Sequence, residues 1–319
     1  EAEGNMQSAV GHYLKAIESD ESNVEARIRL GRIMSAAGQL DEALKYAMAA
    51  AQLAPDNVDA LTLRATVGVQ VENYDLAAES AQKALALDPN AAEAEIVLAA
   101  ISERKGDKAA ARARIDSALT RSPDNLALNL FKLRLLAANK EDQDQIPVIL
   151  ERLARLNPEN DQFHIGLVRW HISKNQIDEA EKAVRAYAAA KPESVKAALA
   201  VVSFLQQRRS VEAARAELNS LIAARGDDPE AFEFEMALVR LELADGKTDT
   251  AIDKLNGMIA KYGDTANGDA ARVGLAELEI RRGQPDAAMA LAVNTCADMQ
   301  GGWVLVHRGE VVAKVAYEI

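Results

Sequence analysis

Two histidines, His164 and His171, stand seven residues apart, a spacing that puts both on one face of a helix, where imidazoles can bind a metal or shuttle a proton. No His-Glu-x-x-His pair or other ligand set accompanies them, and with Trp170 alongside they read as packing residues of a helix. Acidic runs at Glu18 to Glu21 and at Asp227-Asp228 offer oxygen donors, but in the pattern of solvated caps and turns. Cys296 is the only cysteine, which excludes an intramolecular disulfide and a multi-cysteine zinc site. Gly263, Gly268 and Gly274 do not form a phosphate-cradling loop, and neither a Gly-x-Gly-x-x-Gly nor a Walker sequence occurs. With no convergent acid, base, nucleophile or ligand set, the chain reads as non-catalytic, with no cofactor and no metal.

Composition narrows the class further. A net charge of -12 argues against nucleic acid as a partner, because phosphate binding needs dense cationic surface. No apolar stretch approaches the roughly 18 to 20 residues of a membrane-spanning helix. Hydrophobic residues make up 49% and aromatic residues only 4%, with many Ala and Leu, which favours helices packed closely through small side chains.

The elements that must position any site emerge from self-similarity. Ala9, Ala43, Ala77 and Ala111 lie 34 residues apart, as do Pro55, Pro89 and Pro123; Gly4, Gly38 and Gly106 keep the same phase, with Glu72-Asn73 where a glycine is missing. Within Val24 to Asn57, Leu30, Gly31 and Met34 mark one face of a first helix, and Gly38 ends it. Leu40 to Leu53 forms a second helix, with Asp41 and Glu42 in its first turn and Ala43, Ala47 and Ala50 as a small stripe. Pro55 forbids its continuation and Asp56-Asn57 caps the next unit.

The order Leu30-Gly31, Gly38, Ala43, Ala47, Ala50, Pro55 resembles the tetratricopeptide repeat signature. It recurs as Leu98-Ala99, Gly106, Ala111, Ile115, Ala118, Pro123 and as Ala65, Ala77, Ala81, Ala84, Pro89. Gly4, Ala9, Tyr13 and Ala16 match the second half of a further unit; with no methionine at Glu1, the expectation is that something upstream has been removed. Pro158 and Pro192 close further units, with Leu167, Ala180 and Val184 in register, and Ala214, Ala251 and Ala288 then stretch the spacing to 37. Longer loops at Arg225 to Pro229 and Tyr262 to Gly268 are expected to absorb the added residues. In Leu126 to Asn160, Ile146 takes the alanine position, Pro147 sits just inside the second helix, and Asn139 to Gln145 reads as a polar connecting loop. The resemblance implies an all-α, right-handed superhelical α-solenoid over 1–300, with an N-terminal half repeat and about eight helix pairs. Residues 301–319 form a non-repeat tail whose valine-rich run suits a hairpin about Arg308-Gly309 or a last helix, and periodicity alone does not decide.

In that family first helices line a concave face where ligands lie. The fifth residue of each first helix is Ile28, Thr62, Ile96, Leu130, Ile165, Leu199, Met236 and Val273, an almost wholly apolar row. At the ninth stand Arg32, Thr66, Ala100, Arg134, Arg169, Ser203, Arg240 and Glu277, with Arg104 and Arg281 a turn further on. The expected partner is a protein or peptide with apolar and acidic residues, because guanidinium groups grip carboxylates in pairs. The alternative is that these arginines pair with acidic residues on adjacent helices. The carboxylate-clamp subclass is not matched, since Ile28, Arg32 and Leu63 stand where Lys, Asn and Asn are expected. The Tyr262-Gly263-Asp264-Thr265 loop with Ala271, Leu275, Ala276 and Gly283 resembles a unit of bacterial envelope proteins, and the alanine-rich array resembles lipoproteins of exopolysaccharide export. A binding scaffold in envelope assembly is therefore one expectation, with the compartment open between envelope and cytoplasm. A targeting arm of a larger enzyme, such as a transferase or peptidase, is the other, and assembly through the solenoid ends is a third possibility.

Overall fold

The computed structural model describes residues 2–138, 140–226, 228–296, 303–307 and 310–315. Helix α1 (Ala2–Ser19) is followed by the pairs α2 (Val24–Ala36) with α3 (Leu40–Leu53), α4 (Val58–Gln70) with α5 (Tyr74–Leu87), and α6 (Ala92–Arg104) with α7 (Lys108–Arg121). Next come α8 (Leu126–Ala137) with α9 (Ile146–Leu156), α10 (Asp161–Ser173) with α11 (Ile177–Ala190), and α12 (Val195–Arg208) with α13 (Val211–Arg225). The pairs α14 (Ala231–Ala244) with α15 (Thr248–Tyr262) and α16 (Ala266–Arg281) with α17 (Pro285–Cys296) complete the series. The described residues thus hold α1 and eight helix pairs.

The helix boundaries follow from local chemistry. Asn23, Asn57 and Asn125 accept hydrogen bonds from Ala26, Ala60 and Leu128 backbone N–H groups at 2.9 to 3.0 Å, and so open the first helices α2, α4 and α8. Between the helices of six of the eight pairs the chain reverses through one described residue in the left-handed region. Gly38 takes φ of 74°, and where the glycine is missing Glu72 itself adopts φ of 60°, as Asn175 does at 57°.

The chain divides into two compact units, Glu1–Phe163 and His164–Ile319. In the first unit each helix packs on its sequence neighbours, and first helices also touch across pairs, α2 on α4, α4 on α6 and α6 on α8. Its core is built on the alanine stripe: Ala43, Ala47, Ala50, Ala77, Ala81 and Ala84 are fully buried and join Ile28, Leu61, Leu63 and Val67 in one cluster. At Gly68 the helices α4 and α5 approach closely, and an added Cβ would stand 3.1 Å from Ala77 Cβ and 3.2 Å from its backbone. The poorest repeat keeps this register with larger side chains, since Ile146, Leu150, Leu153 and Ala154 are buried at the places of Ala43, Ala47, Ala50 and Ala51. The expected polar loop before it is corrected by the structure: Lys140–Gln145 forms a 3-10 helix, which leads the chain directly into the proline-started α9. Asn139 lies outside the described residues.

The second unit is built likewise, with Phe234, Leu218 and Ala214 at the centre of one cluster and Ala251, Leu255 and Ala271 in another. Its longer repeats place the extra residues partly in helix rather than wholly in loops. Helices α13 and α15 have 15 residues and α16 has 16, and Gly226 and Gly263 turn the chain after the first two. In the tail, β1 (Trp303–His307) and β2 (Glu310–Val315) pair antiparallel, with Trp303 opposite Val315 and His307 opposite Glu310, so strand replaces the helical option there. Arg308 and Gly309, the expected turn, lie outside the described residues.

Candidate binding face

The two histidines first singled out for chemistry contact residues of their own helix pair. His164 is buried with its ring 5.1 Å from that of Tyr187, and His171 Nδ1 lies 2.8 Å from Gln176 Oε1. Among the described residues no group of three or more His, Cys, Asp or Glu is placed to hold a metal, and no helix is long and apolar enough to cross a membrane.

A groove of about 530 Å3 crosses α2, α4 and α6 in the first unit. Leu63, Val69, Ile96 and Val97 supply its apolar lining, and the small residues Ala36, Thr66 and Ala100 leave the space open. Ser35 donates a hydrogen bond to Gln70 Oε1 at 2.7 Å along one side, tying α2 to α4. Repeat geometry explains the alignment: residues 34 apart repeat on successive first helices, so Arg32, Thr66 and Ala100 stand in one row and Leu63 and Val97 in another.

The expected apolar row splits by depth. Ile28 is 1% exposed and Thr62 3%, so both belong to the core, whereas Ile96 lines the groove and Leu130 is 41% exposed. In the second unit Ile165, Leu199 and Met236 are half-buried, the last two packed against the core clusters with one side open. Leu63 and Val97, at the sixth position, are contributors that reading the fifth position alone missed; their 34-residue spacing was the available signal.

The arginine row splits by charge partner. Arg32 Nη2 lies 3.0 Å from Asp59 Oδ1 and 3.5 Å from Glu93 Oε2, reaching from α2 to both following first helices. Arg134 forks onto Glu103 at 2.7 and 3.3 Å, with its guanidinium 4.4 Å from the Phe131 ring centroid. The pairing alternative thus describes these two. Arg169 and Arg240 are exposed and, among the described residues, make no ion pair; the same holds for Arg104 and Arg281. A row of carboxylates was overlooked in the sequence: Glu25, Asp59 and Glu93 occupy the second position of three consecutive first helices, again 34 apart. Arg29 engages Glu25 at 2.6 Å.

A smaller cavity of about 220 Å3 lies among α13, α14 and α15, beside Glu235, Lys254 and Lys261. Lys261 spans it, pairing with Glu235 at 2.9 Å and donating to the Gly226 carbonyl at 3.0 Å, which ties three helices together.

Two tetratricopeptide repeat models match the chain, one over residues 2–67 and 148–203 and the other over 62–125 and 198–266. Similar solved structures include a thermophilic TPR protein of Thermus thermophilus, 21% identical with a TM-score of 0.39, covering 57% of this chain and 99% of that one. PilF of Pseudomonas aeruginosa is 18% identical with a TM-score of 0.44, covering 68% of this chain and 96% of that one. Adenine deaminase 2 of Jannaschia sp. (strain CCS1) is 61% identical over 33 residues, which is 10% of this chain and 5% of that protein. That stretch is about one repeat long, and no deaminase chemistry follows from it. On the two repeat models, which together span most of the helical array, the chain belongs to the tetratricopeptide repeat family, a family of protein-interaction scaffolds.

Proposed function

We propose that this chain is a non-catalytic scaffold that holds a segment of a partner protein along its first helices. The observation that carries the reading is the 530 Å3 groove over α2, α4 and α6, an apolar surface kept open by Ala36, Thr66 and Ala100. Aliphatic side chains of the partner supply most of the affinity there, since exposed ion pairs contribute only about 0.2 to 1 kcal/mol each. In the second unit, Arg169 and Arg240 project unpaired among the described residues and offer planar donors to acidic side chains. The partner surface is therefore mixed, apolar for the first unit and acidic for the second.

Capture of partners from the native organism, using the chain and a Thr66→Trp/Ala100→Trp variant that fills the groove, tests the reading. Both positions are half-buried at the groove surface, so the variant should keep its helical circular dichroism and lose the captured protein. Identical capture by both chains would refute groove binding. A setting in envelope assembly, favoured by the Tyr262-Gly263-Asp264-Thr265 loop, is tested separately by fractionating cells that express the full reading frame. Recovery in the cytosol alone would remove it.

A further inference from the structure

We infer that the groove of the first unit selects a segment carrying lysine or arginine beside its aliphatic residues, and rejects an acidic one. This rests on the groove-binding reading above and names the chemistry of its occupant. Among the described residues Arg32 is the one cation lining the groove, and its Nη2 is already engaged by Asp59 and Glu93. An incoming carboxylate would have to displace one of them, while adding a third negative charge to the site.

The balance of exposed charge points the same way. Side-chain exposure is 64% for Asp59 and 54% for Glu93 against 37% for Arg32, so the rim shows solvent more carboxylate than guanidinium. Each carboxylate meets Arg32 through one oxygen, and among the described residues Asp59 Oδ2 and Glu93 Oε1 have no partner. Arg29 is held by Glu25 at 2.6 Å and adds a weaker attraction to Asp59. Arg32 therefore stands between two carboxylates, Glu93 in the groove lining and Asp59 beside it, and an ammonium or guanidinium group on the bound segment completes the set.

Helix-dipole stabilisation accounts for an acidic residue in the first turn of α4 and of α6, but not for Glu93 lining the groove or Asp59 meeting Arg32. Glu95, also in the first turn of α6, turns the other way and is covered by Arg114 at 2.8 Å and Arg121 at 2.6 Å. Sequence position alone led to the opposite expectation, an acidic partner along the whole arginine row. The carboxylate row does not continue through the second unit, where the residues three before Ile165, Leu199, Met236 and Val273 are Gln162, Lys196, Glu233 and Ala270.

The test is selection of a random dodecapeptide display library on the full chain, with counter-selection on the Thr66→Trp/Ala100→Trp chain. Groove-dependent peptides should carry lysine or arginine next to an aliphatic run. Groove-dependent peptides that are acidic or uncharged would overturn the charge assignment while leaving groove binding intact, and an absence of groove-dependent peptides would overturn both. For the enriched peptide, Glu93→Gln should weaken binding about two- to fivefold, the worth of one exposed ion pair, with an unchanged melting temperature. An unchanged affinity would remove Glu93 from the recognition.

Discussion

Adding one methyl group should stabilise the chain at Gly257 and fail to do so at Gly68. Both glycines lie inside helices, so replacement by alanine returns about 1 kcal/mol of helix propensity in each case. At Gly257, in α15, the new Cβ meets nothing within 4 Å, and the full gain should appear. At Gly68, in α4, the Cβ would sit 3.1 to 3.2 Å from Ala77, two of the three contacts being with backbone that no rotamer change can move. Ordinary carbon contacts lie near 3.5 to 4.0 Å, so α4 and α5 must separate by several tenths of an ångström. Overpacking of this kind costs about 1 to 3 kcal/mol, leaving Gly68→Ala roughly neutral to 2 kcal/mol less stable. The separation between the two variants is then about 1 to 3 kcal/mol. Urea unfolding followed by far-ultraviolet circular dichroism reads it, with hydrogen exchange of the α4–α5 and α15 amides reporting each site locally, since repeat arrays need not unfold in one step. If Gly68→Ala stabilised as much as Gly257→Ala, the close contact that sets the first helices under the groove would be wrong.

Three further outcomes follow from particular contacts. Arg169→Glu with Arg240→Glu should leave the melting temperature unchanged and abolish binding of an acidic partner, whereas Arg134→Glu places a carboxylate beside Glu103 and should lower stability by about 0.2 to 1 kcal/mol; equal melting of all three would show the Glu103 pair to be idle. Glu72→Gly should stabilise by up to about 1 kcal/mol, because glycine adopts the φ of 60° without steric cost; a loss measured by chemical denaturation would mean that the Glu72 side chain contributes more than its strain takes away. Hydrogen bonding from Arg209 holds Asp178 below the usual carboxylate range; burial pushes Glu181 up, but hydrogen bonds from Arg209 and Arg185 outweigh it and leave that carboxyl lowered as well. The unfolded chain therefore protonates these groups first, so their contribution is complete above a pH of about 4.5 and falls as the medium becomes more acid. Melting temperatures recorded from pH 7 to 3 should drop less steeply for Arg209→Leu than for the parent chain, and parallel curves would assign the acid sensitivity elsewhere.

The repeat register was fully legible in the chain, because small residues at Ala43, Ala77 and Ala111, helix-ending residues at Gly38 and Gly106, and prolines at Pro55 and Pro89 each act through local sterics. The bounds of α3 and the start of α9 beside Pro147 followed from those same rules. So did the rows along the groove, since a 34-residue period carries a side chain to the same place on the next first helix. Which arginines are free was not legible. Arg32 and Arg134 are held by carboxylates 27 and 31 positions away on neighbouring helices, while Arg169 and Arg240, in the same row, are not held by any described residue. A charge's availability depends on what packing brings within about 4 Å of it, and a periodic reading of one helix face says nothing of the helix beside it. The 3-10 turn at Lys140–Gln145 and the strand pairing of the tail were not legible either, because a short polar run and a valine-rich run each suit more than one backbone conformation.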